Sequence, residues 1–352
     1  MKQEAHVSTN HTDTLHSNCH PAPSRHAAPS RHAAPDAASH PAISCASAPV
    51  NLPVSLGALR LKNPLTVASG TYGSGLQMAE FLDLNSLGML TTKGVSLVPW
   101  TGNSGIRMKE VSSGMLNSIG LQNPGVEAFI SKDLTWLRAH VPDLPVMVNV
   151  CGHAAADYAA VIERLEDEEG IAGYEVNISC PNVSEGGHVF GATCAGAAEV
   201  TELCREKTAR PMAVKLSPNV GNVAEIARAV EAAGADSISM INTLLGTAID
   251  ARKRSFVFER QFAGLSGPAI KPVALRMVVE VARAVNLPII AMGGVRTGLD
   301  VAEFMLAGAS VVAVGTANFG DPKAVERIAL ELEEFCKQEG IADVTELIGA
   351  VS

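Results

Sequence analysis

Two glycine-rich turns in the C-terminal third of the chain have the composition of an anion site. Gly293 and Gly294 end one apolar run and are followed by Val-Arg-Thr-Gly, while Gly315-Thr316 ends the next run. Turns without side chains let backbone N–H groups close on a phosphate. They imply a phosphorylated substrate or a cofactor such as FMN. Six polar residues sit at the ends of other apolar runs: Ser69, Lys93, Asn149, Asn177, Lys215 and Asn242. Asn and Lys are poor strand formers, and a lysine inside a core needs an anion or acceptor beside it. Together they read as a polar floor of fixed donors suited to a flat heteroaromatic ring. Lys215, in Ala-Val-Lys-Leu, is placed to donate toward a ring position that gains negative charge on reduction.

The elements that must carry these residues follow from the hydrophobic pattern. Eight short apolar runs occur at 65–70, 89–94, 146–150, 174–179, 212–216, 237–242, 288–294 and 310–316. Several are continuously apolar, as strands covered on both faces are. Helical patterns follow most of them. In 222–234, apolar residues at 223, 226, 227 and 230 form one stripe, and 299–308 is a second such segment. Eight strands alternating with helices predict a (β/α)8 barrel over 49–352. A doubly wound sheet would carry G-x-G-x-x-G after its first strand, whereas here the chain reads Ser-Gly-Thr-Tyr-Gly. The longest gaps follow strands two and six, so extra chain at roughly 95–122 and 243–267 belongs at the C-terminal barrel face, where active sites lie.

Composition narrows the function classes. The 352 residues are 47% apolar and 18% charged with a net charge of −9, which disfavours nucleic acid as a partner. No apolar run is long enough to cross a bilayer. Seven scattered cysteines without C-x-x-C argue against a disulfide framework, a metal site or an iron–sulfur cluster held by this chain alone, and suit a reducing cytoplasm. Residues 1–48 hold seven of the ten histidines and the tandem repeat Ser-Arg-His-Ala-Ala-Pro, and are expected to be a disordered low-complexity tail.

The motifs, taken in order, resemble a known family. Thr-Thr-Lys-Gly (91–94), Asn-Ser-Ile-Gly-Leu-Gln-Asn-Pro-Gly (117–125), Asn-Ile-Ser-Cys-Pro-Asn-Val (177–183), Val-Lys-Leu-Ser-Pro-Asn (214–219), Met-Ile-Asn-Thr (240–243), Met-Gly-Gly-Val (292–295) and Val-Gly-Thr (314–316) are similar to dihydroorotate dehydrogenases of class 1. The likeness is greatest to the NAD-linked class 1B catalytic subunit and spans about 51–345. It implies an FMN-dependent oxidation of dihydroorotate to orotate in pyrimidine (UMP) biosynthesis. The implied FMN contacts are Ser69, Lys93, Gly94, Asn149, Asn177, Lys215, Ile241, Gly267, Gly293, Gly294, Gly315 and Thr316. The implied substrate site comprises Lys93, Asn117, Ser118, Ile119, Gly120, Leu121, Asn177, Asn242 and Thr243. The family's base falls on Cys180, which would take a proton from C5 while C6 passes hydride to flavin N5. Pro181 after it favours an extended exit from the strand, and residues 184–193 resemble a mobile lid, His188 included. A class 1B chain would pass electrons to NAD+ through a partner FAD/[2Fe-2S] subunit, as a homodimer within a heterotetramer.

Three other readings compete. One is a fumarate-linked class 1A enzyme or a related pyrimidine-reducing flavoprotein. Another is a non-redox aldolase or isomerase using Lys215 as a Schiff-base lysine. The last is a flavin-binding protein without turnover.

Overall fold

The computed structural model describes residues 49–179 and 190–352, so the expected tail and Cys180 to Val189 lie outside the described residues. The described residues belong to one compact unit. Its centre is a sheet of eight parallel strands: β1 (Leu65–Val67), β2 (Leu90–Thr91), β3 (Val146–Val150), β4 (Gly173–Asn177), β5 (Met212–Lys215), β6 (Ser237–Met240), β7 (Ile289–Met292) and β8 (Val311–Val314). Every residue of these strands is buried, which explains their predominantly apolar texture. All eight expected runs become strands.

Neighbours pair in sequence order from β2 through β7 to β8, and β8 pairs with β1. The remaining seam, between β1 and β2, is closed by other means. Gly88 N–H donates to Leu65 O at 2.9 Å, and the Thr66 and Thr91 hydroxyls meet at 3.2 Å. The segments that lead into the two strands approach so closely that a Cβ on Gly88 would stand 2.1 Å from the Asn63 carbonyl oxygen. The result is a (β/α)8 barrel.

Helices cover the outside where the periodicity places them. Val223–Ala232 buries Val223, Ile226, Ala227 and Val230, and Asn222 caps it through the Ala224 and Glu225 N–H groups. Gly298–Leu306 begins with a reciprocal cap between Thr297 and Asp300. The first βα unit departs from the pattern, since two short 3-10 turns (Met78–Glu80 and Leu84–Ser86) follow β1 before β2. The helical segment 126–140 contains a π-helical stretch, Phe129–Leu134. At the other end of the barrel, a hairpin of Val54–Leu56 and Leu59–Leu61 adds Val54, Leu56 and Leu61 to the common core.

The two long insertions fold together. Met108–Val111 and Gly114–Asn117 come from the chain after β2; Leu244–Thr247 and Phe262–Ser266 come from the chain after β6. They form one antiparallel sheet in which Phe262–Ser266 pairs with Gly114–Asn117. Sequence spacing shows added chain at both places, but not that the two additions are partners.

The Thr66–Thr91 bond gives a test of closure. Thr66→Val should leave the buried Thr91 hydroxyl without its partner and cost about 1–3 kcal/mol in urea unfolding. The double substitution to valine should recover part of that loss.

Candidate active site

A cavity of about 370 Å3 opens at the C-terminal ends of the barrel strands, with the insertion sheet along one side. Three sets of residues build its wall.

The first set is the glycine cradle. Gly293 and Gly294 follow β7 with φ of 135° and 82°, and Gly267 has φ of 96°. A Cβ on Gly294 would lie 2.9 Å from the Gly267 carbonyl oxygen, so both conformation and space require glycine. Gly315 and Thr316 follow β8, and the Thr316 hydroxyl donates to Ser266 Oγ at 2.8 Å. This ties the cradle to the insertion sheet.

The second set is the polar floor. Asn149, Asn177 and Lys215 lie within β3, β4 and β5, whereas Ser69, Lys93 and Asn242 stand two residues beyond β1, β2 and β6. All six line the cavity. Lys215 Nζ donates to Ser69 Oγ at 3.0 Å and lies 3.6 Å from Glu175 Oε2. Glu175 Oε2 also accepts from Asn149 Nδ2, and its Oε1 accepts from Ser239 Oγ. Asn177 Nδ2 donates to Asn149 Oδ1 at 3.4 Å. Ser179 Oγ donates to Asn177 Oδ1 at 2.7 Å and accepts from Asn242 Nδ2 at 2.8 Å. The wall beside them holds Gly94 and Ile241, the latter following a cis peptide bond from Met240.

The third set comes from the insertions. Asn117, Ile119, Gly120, Leu121 and Thr243 line the cavity, and Asn117 Nδ2 donates to the Gly264 carbonyl. Ser118 is the exception among the expected substrate residues. It is buried outside the wall, where its hydroxyl accepts from Asn103 Nδ2 at 3.0 Å. Lys93 faces this side of the cavity, and among the described residues no hydrogen bond or ion pair holds its ammonium. Burial pushes its pKa below the usual lysine value; the Cys151 thiol opposes that shift and the Arg107 guanidinium adds to it.

Two charged residues at the wall or beneath the floor escape a reading of the sequence. Arg107 lines the cavity and donates to Gln122 Oε1 at 2.7 Å, but Ile-Arg-Met-Lys looks like any exposed strand. Glu175 sits beneath the floor; its one signal was a carboxylate in the middle of an apolar strand. Cys180, His188 and the expected lid up to Val189 lie outside the described residues, so the wall is described up to Ser179 and again from Phe190.

The donor set fits a flavin phosphate. The cavity joins a glycine cradle that side chains would fill to a floor of amides, a hydroxyl and two lysines, within the size range of small-ligand sites. Barrel and cavity define a class: a (β/α)8 barrel protein with a glycine-cradled cavity across its C-terminal strand ends, shaped for a phosphorylated ligand. Comparison with known proteins narrows the class. The family model described as dihydroorotate dehydrogenase matches residues 51–336, and the chain belongs to that family of oxidoreductase enzymes. Among its relatives is the dihydroorotate dehydrogenase B (NAD(+)) catalytic subunit of Geotalea uraniireducens, 52% identical over 301 residues, covering 86% of this chain and 98% of the relative. The subunit of the same name from Lachnoclostridium phytofermentans is 50% identical over 302 residues, covering 86% and 100%. That from Alkaliphilus oremlandii is 52% identical over 299 residues, covering 85% and 98%. The class 1B resemblance drawn from the motifs agrees with these relatives, and the aldolase reading of Lys215 gives way to family membership.

The cradle can be probed through its geometry alone. Gly294→Ala should carry both the left-handed backbone cost of roughly 1–2 kcal/mol and the clash with Gly267. Gly349→Ala, at φ of 70° with nothing within 4 Å of its Cβ, should carry only the former. Thermal melting of the two variants reads the difference.

Proposed function

We propose that this chain oxidises dihydroorotate to orotate with FMN, and passes the electrons to NAD+ through a partner FAD/[2Fe-2S] subunit. The observation that carries the reading is the shared cavity: a glycine cradle at one end, and at the other a lysine whose ammonium has no partner among the described residues. B-type relatives half identical over nearly their full length favour NAD+ over fumarate as the acceptor. No helix among the described residues is long and apolar enough to cross a membrane, and we place the enzyme in the cytoplasm. A homodimer within a heterotetramer is the assembly this reading expects.

The backbone N–H groups around Gly293, Gly294, Gly315 and Thr316 would receive the phosphate. Ser69, Lys93, Gly94, Asn149, Asn177, Lys215, Ile241 and Gly267 would hold the rest of the cofactor. When bound, FMN supplies the two-electron acceptor for the hydride that leaves C6. Lys93 would pair with the substrate carboxylate, replacing the water that its ammonium loses on burial. The amides of Asn117, Asn177 and Asn242 offer both donors and acceptors, as the edges of a dihydropyrimidine dione require. Ile119, Gly120, Leu121 and Thr243 would close around the substrate, with Ser118 holding the loop from behind through Asn103. Cys180 would take the C5 proton as a general base. A thiol with pKa near ~8.5 is a few per cent thiolate at neutral pH, which is sufficient for that role.

Cys180→Ala should keep yellow FMN bound yet slow anaerobic flavin reduction by dihydroorotate by roughly 10²–10⁴-fold; unimpaired reduction in stopped flow would refute the base assignment. In the parent chain that rate should climb with pH toward the thiol range. Orotate affinity should fall at alkaline pH, earlier than an ordinary lysine would dictate, because the lowered Lys93 pKa removes the cation sooner. Lys93→Met should weaken orotate by about 30-fold or more, the effect of about 2 kcal/mol or more for a lost buried charge partner. Isolated chain reduced by dihydroorotate should be reoxidised slowly by NAD+ alone; rapid reoxidation would remove the need for a partner subunit.

A further inference from the structure

Glu175 is 1% exposed and does not line the cavity, yet both of its oxygens are engaged by cavity-floor groups or their supports. We propose that Glu175 is a positioning residue that sets the hydrogen-bond direction of the asparagine floor and offsets the charge of Lys215, and so holds down the reduction potential of the bound flavin. The proposal rests on the FMN reading above.

The direction follows from the two ends of a chain of five bonds. At one end the Thr243 backbone N–H, which can only donate, bonds Asn242 Oδ1 at 2.8 Å. Asn242 donates to Ser179, Ser179 to Asn177, Asn177 to Asn149, and Asn149 to Glu175. The carboxylate at the far end can only accept. Turning either inner amide would set donor against donor or acceptor against acceptor, so all five bonds point toward Glu175. Each of Asn149, Asn177 and Asn242 therefore spends one N–H and one carbonyl lone pair on the chain. What remains for a ligand is one N–H from each and one lone pair from Asn149 and from Asn242, because Asn177 Oδ1 also accepts from the Ser179 backbone N–H at 3.4 Å; the acceptor-only end decides which way these groups face.

The charge follows from the ion pair. Lys215 alone would give the floor a buried positive charge; Glu175 at 3.6 Å makes the pair close to neutral. Reduction of the flavin ring by two electrons and one proton leaves it negatively charged. An unbalanced ammonium would favour that state, and the carboxylate offsets the preference.

Glutamine separates the two effects, because its carbonyl can accept from Asn149 while its N–H group bonds Ser239 Oγ. Glu175→Gln should bind FMN with a midpoint potential more positive than the parent chain, read by spectral titration against a reference dye. Ser239→Ala, which keeps the carboxylate, should retain the parent potential. An unshifted midpoint in Glu175→Gln, or an equal shift in Ser239→Ala, overturns the proposal. If Glu175→Gln does not fold, Glu175→Asp, whose carboxylate is withdrawn by one methylene, should shift the midpoint the same way by less; no shift there overturns it equally. A parent chain that binds no FMN would instead sink the flavin reading, and this inference with it.

Discussion

A carboxylate and an ammonium buried together inside a closed barrel are the constraint around which this site is arranged. Each would be costly to bury alone, and the cost is offset only if the partner and further hydrogen bonds are held in place. Here the register of the strands provides that. Asn149 is opposite Glu175 between β3 and β4, and Lys215 is opposite Ser239 between β5 and β6. Between β4 and β5, Lys215 is opposite Asn177, two residues beyond Glu175, so the polar groups occupy two neighbouring rows of the barrel interior. A shift of one residue in β4 or β5 would turn a charge toward the helices, and one in β3 or β6 would remove a hydrogen-bond partner from Glu175.

The cavity above those rows is made by chain that belongs to no single βα unit. The insertions after β2 and β6 meet in one antiparallel sheet, and the Thr316 hydroxyl joins β8 to the same sheet through Ser266. Loop residues such as Asn117 and Thr243 are therefore carried on paired strands or next to them. Precise placement of amides over a flat ligand requires such support, since a side chain on an unpaired loop would lose orientation to backbone motion. The barrel fixes the floor while the joined insertions fix the wall.

Family membership and local geometry support each other at different scales. The half-identical relatives define the enzyme family across the barrel. The geometry adds what identity does not give: Lys93 faces the cavity without a partner among the described residues, Ser118 lies behind the wall, and Arg107 belongs in it.

Much of the fold was legible because burial on both faces leaves a plain mark on a strand. All eight strand positions, the apolar stripe of Val223–Ala232 and the location of the insertions could be read from apolar periodicity. The double-glycine turn was legible because only glycine tolerates that backbone at that distance. Ser69, Lys93 and Asn242 were recognised as strand-end residues, and they stand two residues beyond the regular strands. The importance of Glu175, the pairing of the two insertions and the displacement of Ser118 were decided by tertiary structure alone. The first two depend on partners far away in sequence, 64 residues from Glu175 to Ser239 and 147 from Asn117 to Gly264, and the third on the fold of its own insertion, 15 residues from Asn103 to Ser118. Residue type and spacing record what one element needs, whereas a bond between elements exists only once the barrel has closed.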